Sequence, residues 1–183
     1  GPDYIDPMFH SRVIGTKSRN MDLFMLPEET AKYLLAKNGK DCDIAVLEGA
    51  MGFFDGMGTT FKGSAYDLAR LTKTPVILVV NAKGAALSIA AMIEGFKNFR
   101  KDVNVAGAVL NNVTAMSYLF YKEAIEKETG IPLLGYMPHM ENCNFESRHL
   151  GLVTAGEITG LQEIINTLAA QAEKSIDFDR LLE

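Results

Sequence analysis

The stretch PVILVVN (residues 75–81) decides the fold of this chain. It is apolar up to its final residue, and VNVAGAVLN (residues 103–111) repeats the pattern after a segment of helical periodicity. Strands that are apolar on both faces are typical of parallel sheets covered by helices. We predict strands at 43–48, 75–81, 103–111 and 131–138.

Helical patterns separate these strands. The first begins at Pro27, where two acidic residues follow at the positive end of the helix, and Asn38-Gly39 ends it. Ser64 and Ser88 are expected to cap two of the later helices. The alternation predicts an α/β fold with a three-layer parallel sheet, in a single domain over residues 1–183. The later helices are predicted at 64–72, 86–100, 117–129 and 155–171.

Composition excludes several function classes. The net charge of −5 argues against a nucleic-acid partner, which would require a basic stripe. No apolar run approaches the roughly 18 residues that a membrane span needs, and no basic-then-apolar signal segment opens the chain. Cys42 and Cys143 lack the spacing of a metal site, so we expect two reduced thiols in a cytoplasmic protein.

The carboxyl ends of the predicted strands carry the first candidate site residues. Glu48, Asn81 and Asn111 stand at such ends, where ligands bind in open α/β sheets. A strand-ending carboxylate followed by Gly49 is the arrangement that holds Mg²⁺ beside a phosphate, although an acid ending a strand in solvent would look the same. Asp55 is a second candidate acid or a simple Asp-Gly turn. The amide of Asn111 suits a purine edge.

A second acidic cluster opens the chain. Asp3 and Asp6 stand three residues apart in a segment stiffened by prolines, and they are candidates to bind a cation or an anionic substrate through that cation. Tyr4 and Ile5 between them are candidate substrate contacts. His10 is either a titrating site residue or a hydrogen-bonded structural histidine.

No G-x-x-x-x-G-K-[ST] phosphate loop occurs in the sequence. If Glu48 holds a magnesium ion next to ATP, the partner loop is expected upstream of Gly1, together with the first strand of the sheet. By itself the chain is then expected to bind ATP weakly and to lack synthetase activity.

Several motifs together resemble a known family. GPDYIDP (residues 1–7) with His10, EGAMGFFDG (48–56) and RHLGL (148–152) occur in this order in cobyrinic acid a,c-diamide synthases. The resemblance runs from residue 1 to about residue 170. Asn81 departs from it, since the family usually has Asp there, and so does the Glu-Ser pair that precedes Arg148.

The resemblance implies a glutamine-dependent amidoligase of cobalamin biosynthesis, with a P-loop synthetase domain similar to dethiobiotin synthetase. The glutaminase domain that supplies ammonia is expected outside this chain, and a homodimer stays open. By resemblance, ATP and Mg²⁺ activate a carboxylate of cobyrinic acid as an acyl phosphate, which ammonia converts to the amide. The implied roles are catalysis for Asp3, Asp6, Glu48 and Asp55, metal binding for the first three, substrate binding for Tyr4, Ile5 and His10, and adenine binding for Asn111.

Related functions remain open at this stage. Other tetrapyrrole amidases act on hydrogenobyrinic acid or nickel-sirohydrochlorin, and cobyric acid synthase amidates other side chains. A partitioning-type switch ATPase would share the strands without a small-molecule product. That class does not usually need the acidic segment 3–6 beside a Glu-Gly-x-Met-Gly loop.

Overall fold

The computed structural model of this chain describes residues 7, 10–49, 51–143 and 157–183. The predicted site residues Asp3, Tyr4, Ile5 and Asp6 and the segment 148–152 lie outside the described residues. The strands are β1 (Val76–Asn81), β2 (Val105–Asn111) and β3 (Leu133–Met137). The helices are α1 (Glu28–Gly39), α2 (Ala65–Thr72), α3 (Ser88–Phe99), α4 (Ala115–Thr129), α5 (Glu157–Ser175) and α6 (Phe178–Leu182), with a π-helical turn at His10–Ile14 and a 3₁₀ turn at Glu141–Cys143.

The three strands form one parallel sheet in the order β1-β2-β3. Each strand is followed by a helix, as apolar strands in a parallel sheet require, because the chain must cross back before the next strand begins. The parallel α/β arrangement predicted from the sequence is therefore confirmed, as are the strands expected at 75–81, 103–111 and 131–138.

Helix ends follow the predicted signals with one exception. The Ser64 hydroxyl accepts a hydrogen bond from the backbone N–H of Asp67 at 3.2 Å, which caps α2 as expected. Gly130 ends α4 with a φ of +64°, a conformation that glycine adopts without strain. The cap predicted at Ser88 is wrong, because Leu87 occupies that position and α3 begins without a side-chain cap.

The predicted strand at 43–48 is also wrong. Its residues carry no sheet pairing, and Ile44 and Val46 are 54% and 85% exposed. A strand forms only where a neighbour satisfies its backbone hydrogen bonds, and β1 pairs with β2 alone within the described residues. The apolar run is thus present, but no strand among the described residues pairs with it.

The buried apolar cluster between the sheet and α3 and α4 lies on one face of the sheet. Side chains alternate between the two faces of a strand, and the alternate residues of β1 and β2 that point to this face meet the inner sides of α3 and α4. The main contributors are Leu78, Val80, Ala108, Leu110, Ile89, Ile93, Tyr118 and Ile125. This packing fixes the two helices against the strands and therefore fixes the loops that join them.

Leu110→Ala tests the core. Leu110 is fully buried in the central strand, so the substitution is expected to lower the free energy of unfolding by about 2–5 kcal/mol. Val79→Ala is the matched control, because Val79 is 71% exposed in the adjacent strand and its loss should cost less than about 1 kcal/mol. Urea unfolding measures both, and equal losses would contradict this account of the core.

Tyr118 makes the stability of the core depend on pH in alkaline solution. Burial raises the pKa of Tyr118 to about 12, the neighbouring Glu126 carboxylate adds to the shift, and the hydroxyl donates to the Leu133 carbonyl at 2.9 Å. This pKa lies above the ordinary value of 10.0, so the folded state favours the neutral hydroxyl. The stabilisation that this hydroxyl contributes is therefore complete below pH 10 and is lost as the pH rises toward 12.

Tyr118→Phe should therefore make the fall in unfolding free energy between these two pH values shallower. Tyr33→Phe, at a position 61% exposed, should leave the pH dependence unchanged. Parallel pH profiles for Tyr118→Phe and the wild type would refute the assignment.

Candidate functional site

The carboxyl ends of β1 and β2 meet in a cluster of asparagines. Asn81 and Asn111 are register partners. Asn112 turns the chain with a φ of +60°, and its side-chain amide donates to Oδ1 of Asn81 at 3.1 Å. The same oxygen accepts the backbone N–H of Lys83 at 3.2 Å. The two loops that leave the sheet here are thus joined by side-chain hydrogen bonds.

Asn111, predicted to bind adenine, is half-buried in this cluster. Its Oδ1 accepts the backbone N–H of Asn112 at 3.0 Å, which leaves one lone pair on the oxygen. Its NH₂ group makes no hydrogen bond within the described part of the chain. Asn111 therefore retains both a donor and an acceptor for a ligand.

A pocket of about 390 Å³ opens beside this cluster, between the loop that leads into α3 and the loop that leads into α4. It lies where parallel α/β sheets bind ligands. Small residues from the first loop and hydroxyl-bearing residues from the start of α4 form its walls. The lining residues are Ala82, Gly84, Ala85, Ala86, Asn112, Val113, Thr114, Ser117 and Tyr121.

Two predicted site residues, His10 and Glu48, are in direct contact. His10 Nε2 lies 3.1 Å from Oε2 of Glu48 although the two are 38 positions apart. The Glu48 side chain is 67% exposed, and its second oxygen makes no hydrogen bond within the described residues. The contact is a hydrogen bond between two predicted site residues, and the role of His10 at the site stays a prediction.

Asp55 lies in the glycine-rich loop that follows Glu48. Its backbone N–H donates to the Gly52 carbonyl at 2.9 Å, and its carboxylate folds back over Gly52. A Cβ atom on residue 52 would clash with Oδ2 of Asp55, so only glycine fits there while the carboxylate keeps this position. The side chain is exposed and has no ion-pair partner in the part of the chain that the structure describes.

This loop is fastened to α2 by groups that the sequence reasoning missed. Asp67 accepts the Gly63 N–H at 3.0 Å and an Arg70 N–H at 2.7 Å, and the buried Tyr66 donates its hydroxyl to Asp102 at 2.7 Å. Three rings of the loop, Phe53, Phe54 and Phe61, pack against Tyr66. The spacing of Ser64 and Asp67 is that of a capping box, which could have identified Asp67, whereas Tyr66 and Asp102 share no local signal.

The donor chemistry fits Mg²⁺. This ion favours carboxylate oxygens, and it commonly takes only one or two of them together with water and phosphate oxygens. Glu48 offers its unbonded oxygen and Asp55 offers an exposed carboxylate. The described residues contain no cluster of three or more His, Cys, Asp or Glu side chains that could hold a metal without such additional ligands.

Cys42 and Cys143 are free thiols. No helix in the described segments has the length and apolarity that crossing a bilayer requires.

A known protein family matches most of this chain. The profile of an AAA domain matches residues 17–147, a span that contains Glu48, Asp55, both site loops and all three strands. Together with the parallel sheet, this match confirms the predicted P-loop NTPase type of fold. No solved structure matches the chain.

Curated relatives match along the whole chain. The chain is 42% identical to a cobyrinate a,c-diamide synthase of Thermoplasma acidophilum, over 100% of the chain and 41% of that protein. It is 38% identical to the protein of that name from Saccharolobus solfataricus, with 100% and 41% covered, and 41% identical to that from Fusobacterium nucleatum, with 99% and 41% covered. The chain thus spans about two fifths of the length of these relatives.

Tyr66→Phe tests the hydrogen bond that joins α2 to Asp102, in the segment before β2. The hydrogen bond from Tyr66 holds the pKa of Asp102 below its usual value, while burial raises the pKa of Tyr66 itself. Removing the hydroxyl is expected to move the pKa of Asp102 upward, which an NMR titration of its carboxyl carbon measures. Tyr33→Phe should leave that titration unchanged. An unaltered Asp102 pKa in Tyr66→Phe would show that this bond does not form in solution.

Proposed function

This chain belongs to the AAA domain family, and we propose that it is the part of a longer amidoligase that binds the nucleotide and the carboxylic acid substrate. The proposed reaction is the ATP-dependent amidation of the a and c acetate side chains of cobyrinic acid, a step of cobalamin biosynthesis. The observation that carries the proposal is the contact of His10 with Glu48 in a chain that aligns completely with proteins named for this activity.

The reaction requires a carboxylate to become a substrate for ammonia. A carboxylate oxygen attacks the γ-phosphorus of ATP, and ADP leaves to give an acyl phosphate. Ammonia then attacks the acyl carbon, the carbon–oxygen bond to phosphate breaks, and the nitrogen loses a proton to give the amide. We propose that glutamine supplies this ammonia through a glutaminase domain elsewhere in the longer protein. Positioning and charge neutralisation are the main demands on such a phosphoryl transfer.

Glu48 and Asp55 would hold Mg²⁺, whose bound charge offsets that of the phosphates. His10 contacts one carboxylate oxygen of Glu48, and the other oxygen makes no hydrogen bond within the described residues. Asn111 would hydrogen-bond the adenine edge with the donor and acceptor that it retains. By resemblance to the synthases, Asp3 and Asp6 would add carboxylates to the metal site, and Tyr4 and Ile5 would contact the corrin.

Glu48→Gln tests the proposal in the polypeptide that spans the full length of the relatives. With ATP, Mg²⁺, glutamine and cobyrinic acid, mass spectrometry is expected to show two successive carboxyl-to-amide changes in the wild type. The substitution removes the charge but keeps the shape, and we expect kcat to fall by about 10²–10³-fold, the scale for losing one electrostatic group in an active site.

The matched control is Glu29→Gln, at an exposed glutamate on α1 that pairs only with Lys32 at the surface. It should retain the wild-type rate. No product from cobyrinic acid would overturn the proposed reaction, and product from nickel-sirohydrochlorin instead would reassign the substrate. A full rate in Glu48→Gln would remove Glu48 from the mechanism.

A further inference from the structure

The pocket between α3 and α4 is free of negative charge. Although the chain carries a net charge of −5, the described residues that line the pocket include no Asp or Glu. Its walls consist of small side chains, one amide and three hydroxyl groups. A ligand with anionic oxygens would therefore meet no repulsion from the lining.

Lys83 stands at the edge of this pocket. It lies between Ala82 and Gly84, which both line the pocket, and its backbone N–H is held by Asn81. Its side chain is exposed and forms no ion pair in the described part of the chain. It is the one Lys or Arg in the two loops, residues 82–87 and 112–114. The backbone of Lys83 is thus fixed between two residues of the pocket wall, and its side chain is long and flexible.

Two hydroxyl donors in the pocket wall are also available. Thr114 donates to Ser117 Oγ at 3.1 Å and accepts the Ser117 N–H at 3.2 Å, so its hydroxyl is engaged. The hydroxyl protons of Ser117 and Tyr121 have no acceptor within the described residues. A carboxylate is acceptor-only and can take several hydrogen bonds, which matches an ammonium group and two hydroxyl donors.

We propose that this pocket, with Lys83, binds a carboxylate of the acid substrate other than the one being amidated. The inference rests on the proposed function, in which a substrate with two acetates to be amidated presents one of them to ATP while the other is free. A carboxylate in the pocket would fix the substrate at a second point. A nucleotide phosphate carries similar anionic oxygens, and the experiment below separates the two sources.

Lysine acylation of the full-length polypeptide tests the site without requiring turnover. An N-hydroxysuccinimide ester of acetic acid labels exposed lysines, and peptide mass spectrometry gives the rate at each. Cobyrinic acid at ten times its Kd should slow the labelling of Lys83 by about tenfold, because only the free fraction reacts. The matched control is Lys101, which is exposed, unpaired in the described chain and located before β2, at the opposite edge of the sheet.

Each outcome of the labelling decides the inference. Protection of Lys83 but not of Lys101 by cobyrinic acid supports it. Protection by ATP with Mg²⁺ alone would assign the pocket to a phosphate and overturn the carboxylate assignment. Equal labelling of Lys83 with and without cobyrinic acid would also overturn it. Protection in an enzyme that forms no amide would instead contradict the proposed function and leave the subsite standing.

Steady-state kinetics give the second readout. Lys83→Gln is expected to raise KM for cobyrinic acid about tenfold, the loss typical of one charge-assisted hydrogen bond, with kcat and KM for ATP changed less than about twofold. Lys83→Arg should restore KM because the positive charge returns. Lys101→Gln should match the wild type. A rise in KM for ATP, or an unchanged KM for the acid, would refute the role of Lys83.

Discussion

The parallel pairing of β1 with β2 is the constraint on which the site depends. Because both strands run in the same direction, their carboxyl ends lie at one edge, and the register places Asn81 opposite Asn111. The crossover helices pack on the same face of the sheet, so the loops that lead into them begin side by side. The asparagine cluster and the pocket follow from this geometry. An antiparallel pair would have placed the two loops at opposite edges.

A second feature is the exposure of one face of β1 within the described residues. Val79 lies in an apolar strand but is 71% exposed, and Val46 is 85% exposed. Exposed apolar groups of this kind are normally covered by another element. The segment that leads to Glu48 is held at its carboxyl end by His10 on Glu48 and by Gly49 against Ala65, and within the described residues no ladder of backbone hydrogen bonds pairs it with a strand.

The sequence predicted the described strands because an apolar run of strand length bounded by Pro or Gly has few alternatives. It failed at 43–48 because composition reports which residues can form a strand, whereas pairing depends on a neighbour distant in sequence. The contact of His10 with Glu48 agrees with a shared site, although its geometry depends on a loop that no periodicity describes. Tyr66 and Asp102 were missed for the same reason, since 36 residues separate the two groups of one hydrogen bond.

The residue at position 81, at the carboxyl end of β1, affects the charge near the pocket. Oδ1 of Asn81 accepts the N–H of Lys83 and the amide of Asn112, and a neutral amide provides these bonds without adding charge. An aspartate, which the resembling family usually has here, would accept the same two bonds but would place a carboxylate two residues from Lys83. Nearby opposite charges attract even through solvent, so part of the positive potential of Lys83 would then be cancelled within the protein. With asparagine at position 81, the ammonium group of Lys83 keeps its full positive potential for an anion in the pocket.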